Sequence, residues 1–319
     1  MKKLLVICGL TATGKTALGI HLAYKFKGEL VSADSRQVYK WMDIGTGKDL
    51  PENVKLITKN EKSGGYYLID GVRVWGYDLV ESTENFSVGQ YVKITKRVIN
   101  NIHKRKKLPI LVGGTGLYIQ GVVDGIETAN IPQNKSLRNN LEKKSTTKLF
   151  DILARIDPVK AASMNESDKK NPRRLVRATE IADYSLKNID VASVKQVEVD
   201  ILFIGLKMPK KLLDKRIKIR VHKRVKQGIE SEIGMLFKKG VTWEHQSMDA
   251  LGYRQWREYF EGNISNENVI DKWVRDEINY AKRQMTWFKK DKRINWFDVS
   301  SKNWKLRVEK EVDKWYKSN

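Results

Sequence analysis

Cysteine is almost absent from this 319-residue chain, with Cys8 the sole example. That excludes a disulfide framework and a Cys/His zinc cluster. Long apolar runs are missing as well. No stretch approaches the ~20 consecutive apolar residues that a membrane-spanning helix needs. The N-terminus enters an apolar strand at once, so no signal peptide is expected and a cytoplasmic protein is the default. Acids are scarce beside bases: 38 Asp and Glu against 61 Lys and Arg, a formal net charge of +23. Such an excess points to a polyanionic partner, nucleic acid first and an anionic membrane second. A Lys- and Asn-rich genomic bias would give the same number with no partner at all. Hydrophobic residues make up 40% of the chain, enough for a core, and the length suits one large domain or two sharing a chain.

The chemistry begins at residue 9. Lys3–Cys8 is a short apolar run, and Gly9-Leu10-Thr11-Ala12-Thr13-Gly14-Lys15-Thr16 follows directly. That is G-x-x-x-x-G-K-[ST], the P-loop. Glycines let the backbone turn tightly and aim several N–H groups inward as an anion nest. The helix that starts there adds its positive dipole end. Lys15 supplies a point charge for phosphate oxygens, and the Thr16 hydroxyl can hold Mg²⁺. Leu18, Leu22 and Phe26, four residues apart, predict an amphipathic helix after the loop. A P-loop reports a phosphate or diphosphate and does not by itself report ATP.

Gly28–Asp34 reads as a second strand ending in a carboxylate, where open α/β sheets place their ligands. Asp34 is then expected to face the P-loop, although an Asp there also suits a helix N-cap. Met42–Lys48 is a Gly-rich turn. Tyr66–Ile69, Asp70-Gly71 and Val72–Trp75 predict a β-hairpin with a type I′ turn, read as an edge ornament. Phe86-Ser87-Val88 leads into a helix through about Lys106. Leu108–Val112 predicts a buried parallel strand, and Gly113-Gly114-Thr115-Gly116 a second Gly-rich strand–turn–helix at the phosphate site. From 123 to 199 the strand-like runs vanish and helical spacing takes over, so a helical insertion is expected between core segments 1–122 and 200–319. Asp200–Leu206 returns to the sheet. Lys207–Lys226 then carries ten basic residues against one acid, Asp214. Such a like-charge helix is unfavourable unless an anion offsets it, and a solvated face is the alternative. A last long helix from Asn268 to about Lys290 is expected to bury Ile270, Val274, Ile278, Ala281 and Met285. The overall expectation is an α/β fold: a P-loop NTPase-like parallel sheet flanked by helices, with a mostly helical insertion domain.

A P-loop NTPase also needs a second strand-end carboxylate for Mg²⁺. The core strands here end as Leu111-Val112-Gly113 and Ile204-Gly205-Leu206, leaving Asp34 the only acid so placed. A lone acid suits a base acting toward an acceptor, with the phosphate group in the P-loop as leaving group. A nucleotide kinase using Asp34 for Mg²⁺ is the alternative.

Several motifs together resemble one family, the bacterial tRNA dimethylallyltransferases. They are Gly9–Thr16, Ser32–Lys40, Met42–Thr46, Phe86–Val88, Leu108–Tyr118, Arg173–Arg177, Ala250–Gln255 and Tyr280–Phe288. The resemblance spans nearly the whole chain in order. It implies transfer of a dimethylallyl group from dimethylallyl diphosphate to N6 of the adenosine 3′ to the anticodon, position 37 of tRNA. The diphosphate would lie against Gly9, Thr11, Ala12, Thr13, Gly14, Lys15 and Thr16, with Mg²⁺ near Thr16. Arg216 or Arg220 would be the diphosphate-binding arginine, with Arg216 the slightly better pattern match. Asp34 would be the general base, and Thr115 would align the flipped adenosine. Asp34, Ser35, Arg36, Gln37, Thr115, Arg173, Arg174, Arg177, Gly252, Tyr253 and Arg254 would contact tRNA, with the insertion gripping the anticodon stem. A monomer with no membrane partner is expected. Two departures stand out. A Pro-His-His run common before Leu-Ile-Asp is replaced by Gly64-Gly65-Tyr66-Tyr67, and the C-terminal zinc finger of eukaryotic relatives is missing. An adenylate prenyltransferase acting on free nucleotide is the runner-up, but it would not require so basic a surface.

The charge reading has a direct test. Affinity for tRNA falls steeply with added salt as phosphate counterions are released. A flat response in a salt-titrated binding assay would leave the basic residues as solvated charge alone.

Overall fold

The structure is a computed structural model and describes residues 1–52, 54–58, 64–126, 128, 131–187 and 199–318. The chain divides into two compact units, Met1–Asp124 with Glu198–Asn319, and Gly125–Val197.

The first unit is built on a seven-stranded sheet. Its strands are β1 (Lys2–Gly9), β2 (Gly28–Ser32), β3 (Tyr66–Ile69), β4 (Val72–Trp75), β5 (Leu108–Val112), β6 (Val199–Lys207) and β7 (Ile294–Asp298), in the order β3-β4-β2-β5-β1-β6-β7. Every pairing is parallel except β3 with β4. Strands covered on both faces must be apolar throughout rather than alternating. β1 obeys this, with Leu4–Cys8 buried, and so does β5. The helices of this unit before the second are α1 (Lys15–Lys25), α2 (Val88–Lys104) and α3 (Gly116–Val123). Ser87 and Gln90 close a reciprocal capping box at the start of α2, which sets where that helix begins. The chain leaves β1 toward β2 on one side, and later returns to β6 on the other. The carboxyl end of β1 is therefore the switch point where such sheets bind ligands, and the P-loop sits there. Gly9 (φ +119°) has no room for a Cβ, which would run into the backbone of Leu206 on β6.

The predicted hairpin exists, with Asp70 and Gly71 both at positive φ as a type I′ turn requires. It is not an ornament. β4 pairs in parallel with β2, so the hairpin extends the main sheet. Its anchor is Glu29 of β2, whose side chain is 1% exposed. Trp75 Nε1 donates to it at 2.9 Å, Arg105 grips it with both Nη atoms, and Lys107 and Arg73 stand at 3.4 and 3.6 Å. Cys8 is fully buried in β1, and burial raises its thiol to about 12.

The second unit is helical in its described residues: α4 (Lys135–Leu141), α5 (Thr146–Ile156), α6 (Pro158–Ser163), α7 (Glu166–Lys169) and α8 (Pro172–Lys187). Its own small core gathers Leu141, Leu149, Leu153, Met164, Leu175 and Val176. Glu180, buried on α8, holds Arg138 at 2.6 Å through both of its oxygens.

The chain then completes the first unit with α9 (Lys210–Lys226), α10 (Ile229–Lys238), α11 (Arg257–Phe260), α12 (Asn266–Phe288) and α13 (Trp304–Lys317). Among the described residues no helix is long and apolar enough to cross a membrane.

Removing the carboxylate in Glu29→Gln leaves Arg105 without its partner, and a loss of about 3 kcal/mol is expected in urea unfolding at neutral pH. Burial alone would raise Glu29, but the hydrogen bonds from Arg105 and Trp75 hold its carboxyl below the ordinary range. A depressed carboxyl stabilises above its unfolded pKa, and that stabilisation fades as pH falls through the folded one. The gap between wild type and Glu29→Gln therefore narrows in acid.

Candidate active site

The P-loop turns as its sequence requires, with Ala12 (φ +59°) and Gly14 (φ +83°) in the left-handed region. Two of its polar side chains are engaged within the loop: Thr13 Oγ1 and Lys15 Nζ donate to the Leu10 carbonyl at 2.7 and 2.6 Å. Burial, then the nearby Arg220 charge, lowers the Lys15 ammonium to about 8, with Asp34 pulling the other way. Asp34 is thus close enough for Lys15 to feel its charge. The Arg36 amide donates to Asp34 Oδ1 at 2.9 Å, a local turn that orients the carboxylate.

The second Gly-rich turn closes against this segment. Gly113 lies so near Ala33 that a Cβ would overlap the Ala33 backbone. Thr115 N donates to the Ala33 carbonyl at 3.2 Å, and Thr115 Oγ1 accepts the Ser35 amide at 3.1 Å. Asp34 and Thr115 are thereby held by adjacent hydrogen bonds beyond the ends of β2 and β5.

α9 and α12 form the opposite wall. Arg220 donates to Thr11 Oγ1 and, at 3.0 Å, to Glu277; Arg224 reaches the same carboxylate at 3.2 Å. Burial alone would raise Glu277, but the two guanidinium charges hold it below the usual carboxylate range. Burial, with Arg220 alongside, lowers Arg224 to about 10. The Nε atoms of both arginines are buried without an acceptor. Further along α12, Gln284 accepts the Thr11 amide at 2.7 Å and donates to the Gly114 carbonyl at 3.0 Å. Tyr280 OH donates to the same carbonyl at 3.3 Å. The arrangement gathers Lys15, Arg220 and Arg224 around Glu277 at the P-loop, with the Asp34 carboxylate and the Thr115 hydroxyl on the adjoining turns, a set that can hold an anion beside a carboxylate.

The model of the IPP transferase family matches residues 37–291. A tRNA dimethylallyltransferase of Carboxydothermus hydrogenoformans is 38% identical over 97% of this chain and 96% of its own length. The chain belongs to the IPP transferase family. The full-length tRNA isopentenylpyrophosphate transferase of Bacillus halodurans superposes with a TM-score of 0.70 at 33% identity, covering 99% of this chain and 97% of that one. A eukaryotic dimethylallyltransferase acting on tRNA shares the fold with a TM-score of 0.76 at 23% identity, over 98% of this chain and 78% of its own.

Against this family background, the predicted site residues separate into several groups. Gly9–Thr16, Asp34, Ser35, Thr115 and Arg220 come together. Arg216, the better pattern match, lies one turn from Arg220 and is exposed, while Arg220 is the one that touches the P-loop. Four residues expected to meet tRNA spend their side chains or backbone inside. Tyr253 is fully buried, its OH donating to Glu232 at 2.5 Å and its ring packed on Gly45. Gly252 (φ +92°) is wedged between Trp273 and Gly45. Gln37 accepts from Ser32 Oγ at 2.8 Å and donates to the Gly47 carbonyl at 3.0 Å, clasping the Gly-rich turn. Arg177 donates to the Thr128 and Ile131 carbonyls at 2.8 and 3.0 Å, within the second unit. Arg254 is exposed, paired with Asp276 at 3.0 Å, and Arg36 donates to the Gln246 carbonyl at 2.8 Å. Arg173 and Arg174 occupy the exposed first turn of α8, Arg174 paired with Asp168.

The sequence reading missed Arg224, Glu277 and Gln284. The buried stripe of α12 is Val269, Trp273, Glu277, Ala281, Gln284 and Phe288, one position off the all-apolar stripe expected. The signal was present as Glu277 and Gln284 at i and i+7, astride Ala281. On α9, Arg224 is buried in line with Leu213, Ile217 and Val221.

An anion at the P-loop favours protonated Lys15, whose ammonium is lowered by burial to about 8. Inorganic diphosphate binding should therefore take up protons around pH 8 and weaken as pH rises further. Titration calorimetry in buffers of different ionisation enthalpy measures the uptake, and Lys15→Arg should lose the part due to this residue.

Proposed function

We propose that this IPP transferase moves a dimethylallyl group from dimethylallyl diphosphate to N6 of the adenosine 3′ to the anticodon of tRNA, releasing diphosphate. The observation that carries this reading is the carboxylate and hydroxyl pair, Asp34 and Thr115, set across from a positively charged anion cradle. The named relatives supply the substrate class, and the +23 net charge suits a polyanionic acceptor.

The diphosphate lies in the Gly9–Thr16 nest, with Lys15 and Arg220 on its oxygens. The two orphaned guanidinium Nε atoms favour an anion at this wall, because buried donors gain from an acceptor. Thr115 orients the extruded adenine, whose unstacking is required for any chemistry on a base. The N6 lone pair attacks the allylic carbon as its bond to the diphosphate oxygen breaks. The electron pair leaves with the diphosphate, and the surplus N6 proton passes to Asp34. Lys15 and Arg220 stabilise the departing charge in a site of low dielectric.

The donor set suits Mg²⁺, which keeps several waters and binds through a few oxygens plus substrate phosphates. Thr16 at the first turn of α1 is such an oxygen. Among the described residues no group of three or more His, Cys, Asp or Glu forms a protein cage, which this mode of binding does not need. Mg²⁺ held between Thr16 and the diphosphate would offset part of the leaving-group charge. Ser35, Arg36, Arg173, Arg174 and Arg254 are the tRNA contacts that remain on accessible surface. We place the reaction in the cytoplasm, with the chain acting as a monomer.

Incubation with labelled dimethylallyl diphosphate, Mg²⁺ and unmodified tRNA tests the reading. Label is expected in tRNA adenosine; label in AMP alone would make the enzyme an adenylate prenyltransferase. Asp34→Ala is expected to slow transfer by about 10²–10⁴-fold while tRNA binding persists. Full activity in that variant would remove Asp34 from the role of base.

A further inference from the structure

One buried amide joins the two halves of the site. Gln284 is 4% exposed. Its Oε1 accepts the Thr11 amide at 2.7 Å, and its Nε2 donates to the Gly114 carbonyl at 3.0 Å. The first partner belongs to the donor cradle. The second is the residue before Thr115, which in turn accepts the Ser35 amide beside Asp34. The fit at Gly114 is close, since a Cβ there would collide with the Gln284 amide. A path of hydrogen bonds and one peptide link thus runs Thr11, Gln284, Gly114, Thr115, Ser35.

We infer that Gln284 is a positioning residue that couples occupancy of the diphosphate cradle to the order of the acceptor turn. This rests on the transferase reading above. The Thr11 N–H belongs to the P-loop backbone and is spent on Gln284, so an anion that tightens or shifts this loop moves the donor that Gln284 holds. The Gln284 side chain must respond in both cases. A buried amide cannot leave one end unpaired without loss, so the response reaches Gly114 through the other end. A glutamine suits this task because it accepts at one end and donates at the other. A carboxylate accepts only. Gln284→Glu can keep the Thr11 bond but not the Gly114 bond, and Gln284→Met fills similar space with neither.

The measurement is the coupling between ligands in the full chain. The Kd for unmodified tRNA is determined with and without saturating inorganic diphosphate and Mg²⁺. In the wild type, diphosphate is expected to tighten tRNA binding about fivefold or more. In Gln284→Met the ratio is expected to fall to about one, whatever the change in each separate affinity. Gln284→Glu should behave like the Met variant although one arm survives, and it carries the test if the Met variant does not fold. A merely structural role would weaken both affinities and lower Tm but leave the ratio intact. An unchanged ratio in both variants, or a wild-type ratio of one, overturns the inference. Wild-type enzyme that puts no label into tRNA defeats the transferase reading instead. Labelled tRNA with the ratio retained in the variants defeats the coupling alone.

Discussion

One buried carboxylate sustains the charged wall of this site. Glu277 offsets Arg220 and Arg224 where water is largely excluded. Two guanidinium groups packed together without it would repel each other and lose their hydration. With it they are held, but one negative charge cannot neutralise two positive ones, and Lys15, which also feels Asp34, adds a third. Burial first, and the neighbouring Arg220 charge second, disfavour the charged forms of Lys15 and Arg224.

The acceptor side is built by a different device. The chain from Asp34 to Lys48 has little regular structure, yet it is pinned from behind by carboxylates and glycine contacts. Glu232 of α10 accepts the amides of Asp43, Ile44 and Gly45 at 3.0, 2.8 and 3.3 Å, and the hydroxyl of Tyr253 as well. Lys48 is wholly buried, donating to the Tyr39 carbonyl at 2.8 Å and to Asp43 at 2.6 Å, and pairing with Asp78. A carboxylate that is to take a proton must keep its geometry. Here that geometry comes from buried ionic groups gripping a loop rather than from a helix or strand.

The sequence made the sheet and the P-loop legible for a physical reason. Buried parallel strands are continuous apolar runs, and a phosphate nest needs glycines at set spacing, so both leave local marks. The buried polar positions of α12 leave only the i, i+7 spacing of Glu277 and Gln284. Glu277 and Gln284 are buried because of what lies opposite them, and periodicity alone assigns such residues to solvent. Tyr253 failed in the opposite sense. A polar-aromatic turn looks the same whether its tyrosine greets an RNA or closes on Gly45 and Glu232. The hairpin was read correctly in itself, down to its turn type. Its place in the main sheet depends on parallel pairing of β4 with β2, which no neighbouring residue announces.

The bond between Thr11 and Gln284 spans 273 positions of the chain. Its consequence concerns the order of synthesis. The P-loop leaves the ribosome long before α12 does. The nascent chain can form β1, β2 and β5 and still have no charged wall, no Glu277 and no bridge to the acceptor turn. Closing so long a loop is also the kind of step that slows folding, because its entropy must be met before the contact forms. The wall around the P-loop is therefore finished only once α12 has been made, and a chain cut before α12 carries the motif without the wall.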